Sequence, residues 1–191
     1  MSRPALGAVP MVRHVLALLV GAVLVLPSVA SASEALYGRI GERLALMRDV
    51  AAYKWLHDLP VTDSEREARV LDSAAADGLR FQIEPDSTRR LFAVQIEAAK
   101  DIQRYWFERW AAGPAPDSAP DLVGELRPHL LQLGEEILAL AAEPVTGVNA
   151  DRFYEIVRTD GLERDRADEL LSAVAALERY PSRLAQILDT G

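Results

Sequence analysis

Arg43 and Lys54 stand eleven residues apart on what reads as one long helix, and both fall on its apolar side. Eleven residues is just over three turns, so the two side chains point within about 20° of each other. Leu36, Ile40, Leu44, Met47, Val50 and Ala51 surround them, spaced by threes and fours as a buried stripe should be. Two cations in such a stripe need anionic partners, because burying an unpaired charge is costly. Lys54 also stands out by rarity. The chain has nineteen arginines and only one other lysine, Lys100. The partner is either an internal carboxylate, with Asp63 and Glu67 as the candidates, or a bound anion.

More polar residues fall on inward or edge positions of the elements that follow. Arg66 and Glu67 are in the first turns of a second helix, Gln95 and Gln103 on the inner stripe of a third, and Arg127 at the start of a fourth. Singly, each reads most readily as structural: an internal ion pair, an amide on a helix end, a solvated arginine. Together they would give one pocket a positive excess and an uncharged hydrogen-bond donor. No nucleophile stands beside a base, and neither an acid/base pair nor a metal-ligand set is evident. Such a site binds a small polyanion, or speeds a reaction that needs only shape and charge.

The elements that must position these groups are all helical. The chain is rich in Ala, Leu, Arg and Glu, without useful strand-like alternation. The first helix is expected from about Ser33 to His57, broken by Leu59-Pro60-Val61. Thr62-Asp63-Ser64-Glu65 reads as a capping box with Thr62 as N-cap, opening a second helix that ends near Gly78. Pro85 opens a long third helix to about Trp110, with Leu91, Phe92, Gln95, Ala99, Ile102, Gln103, Trp106 and Trp110 inward. After the Gly113–Pro120 loop, a fourth helix covers Leu122 to Ala142, its regular part delayed to Arg127 or Pro128 by the proline. Two shorter helices, Ala150–Arg158 and Arg164–Arg179, flank Gly161, and Pro181 opens a last turn. The expectation is an all-α, single helical-bundle domain of about six helices.

The amino terminus is expected to be no part of that bundle. Arg3, Arg13 and His14 precede an apolar run from Val15 to Leu26, Pro27 breaks it, and Ala30-Ser31-Ala32 supplies a small-residue cleavage pattern. This reads as a secretory signal, residues 1–32, with cleavage after Ala32 and a periplasmic or secreted domain over 33–191. The run is too short to favour a spanning helix, which needs roughly twenty apolar residues. Without Arg3 and Arg13 the chain keeps 19 basic and 29 acidic residues, a net charge near −10. That excludes nucleic acid and anionic membrane as natural partners, so an anionic ligand must be held by a local cationic pocket. With no cysteine and three scattered histidines, His14, His57 and His129, neither disulfide nor metal site is expected.

The chain resembles the all-helical chorismate mutases, in their exported subclass whose site is built from a single chain. The resemblance rests on Glu42-Arg43-Leu44, on Val50-Ala51-Ala52-Tyr53-Lys54-Trp55, and on Leu59-Pro60-Val61 followed by Asp63-Ser64-Glu65-Arg66-Glu67. It continues through Phe92 to Gln103, with Trp110, and ends on Leu126-Arg127 followed by Leu130 and Leu133. It covers roughly residues 35–140 and is faint beyond them. Val70 stands where relatives have a polar Gln, Ala99 where some have Thr or Ser, and Gln103 where some have Glu.

The resemblance implies the rearrangement of chorismate, a small dicarboxylate, to prephenate, with no cofactor, covalent intermediate or proton transfer. By the same resemblance Arg43 and Arg127 clamp substrate carboxylates, and Lys54 and Gln103 donate to the ether oxygen on which negative charge grows. Arg66 contacts a carboxylate or the ring region, Glu67 accepts the substrate hydroxyl, and Asp63 orients it or the neighbouring cations. A homodimer is also implied. A lyase acting on isochorismate and a non-catalytic helical binding module are the rival readings. Because an amide donates at any pH, activity is expected to be nearly flat from about pH 5 to 8. Gln103→Glu should shift activity toward acid pH; an unchanged profile, measured as initial rate against pH, would remove Gln103 from the ether-oxygen role.

Overall fold

The structure, a computed structural model, describes residues 29–145 and 149–180. Among them there is no strand, and the secondary structure is helical throughout. The first helical stretch is two segments, α1 (Val29–Ala45) and α2 (Met47–Leu56), hinged at Leu46. The ladder bridges the hinge, with Leu46 N–H donating to the Glu42 carbonyl at 3.3 Å and Val50 N–H to that of Leu46 at 3.0 Å. Next come α3 (Ser64–Arg80) and α4 (Pro85–Ala112), then a π-helical turn over Leu122–Leu126 that runs into α5 (Arg127–Ala141). The described chain ends with α6 (Ala150–Val157) and α7 (Arg164–Ala175). With α1 and α2 taken as one hinged rod, these are the six helices expected. The segment read as a secretory signal and the turn expected after Pro181 lie outside the described residues, apart from the last four positions of that segment, which begin α1.

Leu36, Ile40, Leu44, Met47, Val50 and Ala51 are all buried, as the stripe requires. On α4 the inner face is Leu91, Phe92, Gln95, Ala98, Ile102, Gln103 and Trp110, while Ala99 and Trp106 are only partly covered. Helix α4 is the spine, with α3, α2 and α7 packed along it, while α1 packs against both α5 and α6. The C-terminal helices bury Phe153, Val157, Leu170 and Val174 into the same core. They back the bundle without lining its main cavity, whose wall includes no residue after Leu138.

Three element ends differ from the sequence reading, each for a local reason. Asp63, not Thr62, is the N-cap of α3: its carboxylate accepts from Arg66 N–H at 3.0 Å, and Glu67 reaches back to Asp63 N–H at 3.2 Å. The reciprocal capping is present, shifted by one residue and closed by Glu67 rather than Glu65.

Helix α3 does not stop at Gly78. It continues to Arg80 and ends in a reversal at Gln82, whose φ is 59°. The bonds are those of a Schellman motif, with Ile83 N–H to Gly78 O at 2.9 Å and Gln82 N–H to Leu79 O at 3.1 Å. Gly78 serves a different need: a Cβ there would lie 2.5 Å from Thr88 Oγ1, so its hydrogen lets α3 and α4 approach. Helix α7 ends at Ala175 rather than Arg179, because the chain beyond it runs beside residues 82–84. Glu84 N–H donates to Glu178 O and Tyr180 N–H to Gln82 O, both at 2.8 Å. Arg179 then donates to the Ala141 and Glu143 carbonyls at the end of α5, at 2.8 and 3.0 Å.

Two substitutions separate these roles. Gly78→Ala should lower stability by about 1–3 kcal/mol through overpacking against buried Thr88. Gln82→Gly, which removes a left-handed side chain at an exposed turn, should raise it by up to about 1 kcal/mol. Chemical denaturation of the two variants checks both signs.

Candidate active site

A cavity of about 160 Å³ opens between α1, α2, α3, α4, the π-turn and α5. One water needs about 15 Å³ of such space, so the cavity admits a multi-atom ligand. Arg43, Lys54, Asp63, Arg66, Glu67, Gln103 and Arg127 all line it. Its floor is apolar, with Met47, Val50, Phe92 and Leu138. Val70 and Ala99, where the sequence departs from the family pattern, also face it. Gln95 does not: it is buried elsewhere in the core, and neither of its amide atoms has a partner there.

Each charged group arrives by a definite route. Arg43, in the last turn of α1, donates from Nη1 to the Leu130 carbonyl of α5 at 3.1 Å and lies 5.9 Å over the Phe92 ring. Burial, then the nearby Arg66 guanidinium, lowers its pKa to about 10. Lys54, in the last turn of α2, donates from Nζ to Val61 O at 2.7 Å, leaving two of its three N–H groups. The loop that presents Val61 is set by a second Schellman reversal at Asp58, with φ 51° and Leu59 N–H donating to Lys54 O at 2.8 Å. Burial lowers the Lys54 pKa; Asp63 and Glu67 work against that shift, and Arg127 adds to it.

Arg66 occupies the first turn of α3, the end of a helix where positive charge is disfavoured, whereas Arg127 joins the π-turn to α5 with its own N–H bonded to Leu122 O. Burial and then Arg127 lower the Arg66 pKa. The backbone that delivers Arg127 is shaped by Pro128. Lacking an N–H and crowding the carbonyl four residues back, a proline cannot continue an ordinary helix. The preceding turn widens to π spacing, with Leu126 N–H bonded to Asp121 O at 3.0 Å and Asp121 capping Gly124 N–H.

Gln103 is almost wholly buried, donating from Nε2 to Ala99 O at 3.0 Å and to Met47 Sδ at 3.8 Å. Its Oε1 has no partner. The sulfur contact is weak, so this N–H is available to a better acceptor. The acids are held apart from the cations. Glu67 bonds Asp63 N–H and Lys100, and the cavity-lining Asp77 and Glu135 share Arg80 at 3.2 and 3.0 Å.

The question raised by the sequence thereby has an answer. Among the described residues, no carboxylate lies within 4 Å of a cationic nitrogen of Arg43, Lys54, Arg66 or Arg127. The internal pairing of Lys54 with Asp63 or Glu67 is not made, because Asp63 is spent on its helix cap and Glu67 is turned to Lys100. Four cations thus converge on one cavity without ion-pair partners, and a ligand with two carboxylates matches them. Sequence reasoning gave no role to Lys100, which lines the cavity with its side chain 12% exposed. Its signal was rarity, since both lysines of the chain are cavity residues.

A base whose folded pKa lies below its unfolded value opposes folding while it is charged. That opposition is full below the folded pKa and fades as pH rises through it toward the ordinary value, 10.5 for Lys54. Lys54→Met should therefore raise the thermal midpoint at pH 7 while abolishing the midpoint increase that a dicarboxylate ligand gives the unaltered chain. Scanning calorimetry with and without ligand reads both effects.

Comparison with known proteins agrees with this architecture. The family described as Chorismate mutase type II matches residues 30–104. A secreted chorismate mutase of Yersinia pestis is 36% identical over 104 residues, 54% of this chain and 56% of that protein. The chain thus spans little more than half the length of that relative. A monofunctional chorismate mutase of Enterobacter agglomerans is 32% identical over 134 residues, covering 68% of this chain and 73% of that one. The crystal structure of the secreted Yersinia pestis enzyme superposes with a TM-score of 0.72 at 27% identity, covering 76% of this chain and 97% of it. By sequence and by fold, the chain belongs to the chorismate mutase family.

Proposed function

We propose that the cavity catalyses the rearrangement of chorismate to prephenate. The observation that carries this reading is the set of four cations left without carboxylate partners around a buried amide. Arg43 and Arg127 clamp the two substrate carboxylates, with Arg66 beside them. Holding both carboxylates forces the flexible substrate into the compact chair from which the new carbon–carbon bond forms, which lowers the entropic part of the barrier. As the ether C–O bond breaks, negative charge gathers on its oxygen. The two free N–H groups of Lys54, and the Gln103 N–H now spent on Met47 sulfur, are the donors for it. They are fixed before the reaction and partly removed from water, so they favour the transition state over the ground state. Glu67 accepts the substrate hydroxyl, with Asp63 holding the helix end that presents it.

The seven residues line the cavity within one chain, which supports a site that takes Arg127 from its own chain; a homodimer remains part of the proposal as a scaffold. Export is proposed as well. The segment up to Ala32 has secretory character, one relative is named as secreted, and no described helix is long and apolar enough to cross a membrane. Cleavage after Ala32 would leave α1 beginning at Ser33.

Incubated with chorismate, the purified chain should yield prephenate, and with isochorismate it should yield no pyruvate. Pyruvate release would favour the lyase, and no turnover of either would favour a binding module. Lys54→Ala should cut kcat by at least about 10²–10³-fold, the scale for losing one fixed donor to a developing anion. Its helical circular dichroism should be intact; survival of the rate would refute the site.

A further inference from the structure

Lys100 is the cavity cation that the mechanism above does not use. It sits on α4, three residues from Gln103, and its ammonium is bound on two sides. Glu97, on the same helix and 44% exposed, holds it at 2.6 Å; Glu67, across on α3 and 23% exposed, lies at 3.4 Å. The partners differ in purpose. Glu97 is a surface group one turn away on the same helix, and it aims the lysine. Glu67 belongs to the cavity, and its other oxygen already accepts Asp63 N–H at 3.2 Å.

Glu67 faces a hazard in this position. It is an anion on the wall of a cavity with excess positive charge, and it already stabilises the charged form of Lys54 from a distance. A direct Glu67–Lys54 ion pair would spend the ammonium needed for the substrate and remove the acceptor needed for the hydroxyl. Coulomb attraction favours that collapse, more strongly as the cavity is desolvated. Lys100 supplies the competing cation, and with Asp63 N–H it ties both carboxylate oxygens. Burial works against its charge, but the two glutamates more than compensate, and its pKa is raised.

We infer that Lys100 is a positioning residue: it anchors Glu67 at the hydroxyl end of the cavity and keeps it from neutralising Lys54. This rests on the assignment of Glu67 and Lys54 made above. It accounts for the confinement of both lysines to this cavity in a chain that otherwise uses arginine. A compact ammonium can bind two carboxylates from different helices without the bidentate geometry a guanidinium imposes.

The test is a double-mutant cycle on chorismate turnover, using Lys100→Met, Glu67→Gln and the pair. Lys100→Met should lower kcat/KM about tenfold when Glu67 is present, within the usual range for coupled neighbours. In the Glu67→Gln background the same change should cost less than about twofold, because a neutral amide has no drive to collapse onto Lys54. Lys100→Arg, which keeps the charge but not the compact head, should recover only part of the loss. Thermal midpoints control for folding, since a purely structural lysine would cost the same factor in both backgrounds. Equal losses in both backgrounds, or an unaltered kcat/KM in Lys100→Met, would overturn the inference while leaving the assigned reaction standing. No turnover by the unaltered chain would overturn that assignment, and this inference with it.

Discussion

Positive charge held together without internal compensation is the constraint around which this bundle is organised. Arg43, Lys54, Arg66 and Arg127 share one cavity with no carboxylate within ion-pair distance, and burial lowers the pKa of the first three. One of them, Arg66, stands at the unfavourable end of a helix. Only a framework stable for other reasons can carry this. Here the framework is the apolar spine of α4 with α2, α3 and α7 packed along it and α1 packed on α5, where Leu36, Ile40, Leu91, Ile102, Ile137 and Leu170 are completely buried. Each such side chain contributes roughly 1.5–3 kcal/mol on leaving water. Stability is supplied by these buried side chains and consumed at the cavity.

The treatment of acids follows from the same constraint. Outside the cavity arginines pair freely: Arg89 with Asp72 at 2.7 Å, Arg152 with Glu34 at 2.7 Å, Arg166 with Asp101 at 2.8 Å. Inside it every acid is committed elsewhere. Asp63 caps α3, Asp77 and Glu135 share Arg80, and Glu67 is tied to a backbone N–H and a lysine. These commitments keep the cations free for an anionic ligand. In a protein with 29 acidic residues and a net charge of −8, leaving a handful of cations unpaired requires that each nearby carboxylate have another task.

Helix ends matter more here than helix middles. Two Schellman reversals, at Asp58 and Gln82, use non-glycine residues in the left-handed region and so store some strain. The first places Val61 to receive Lys54; the second turns the chain into the start of α4. The π-turn before Pro128 fixes where Arg127 enters. In each case a side chain of the cavity depends on backbone geometry within a few residues of a helix terminus.

The helices, their inward faces and most of the residues lining the cavity were legible in the amino-acid order, because a 3.6-residue period and local capping are short-range properties. The stripe from Leu36 to Ala51 and the two cations on it needed nothing beyond spacing. Exact ends were less legible. Gly78 carries the usual sign of a helix stop, yet its real role is contact with Thr88, a residue on another helix, and the C-terminal segment ends early to pair with residues far away in sequence. What pairs with what was decided only in three dimensions. Spacing could place Asp63 and Glu67 near Lys54, but not reveal that one is spent on a cap and the other drawn off by Lys100, nor that Gln95 faces the core while Gln103 faces the cavity. Short-range periodicity determines which side of a helix is wet; the partner of a charge depends on where four other helices bring theirs.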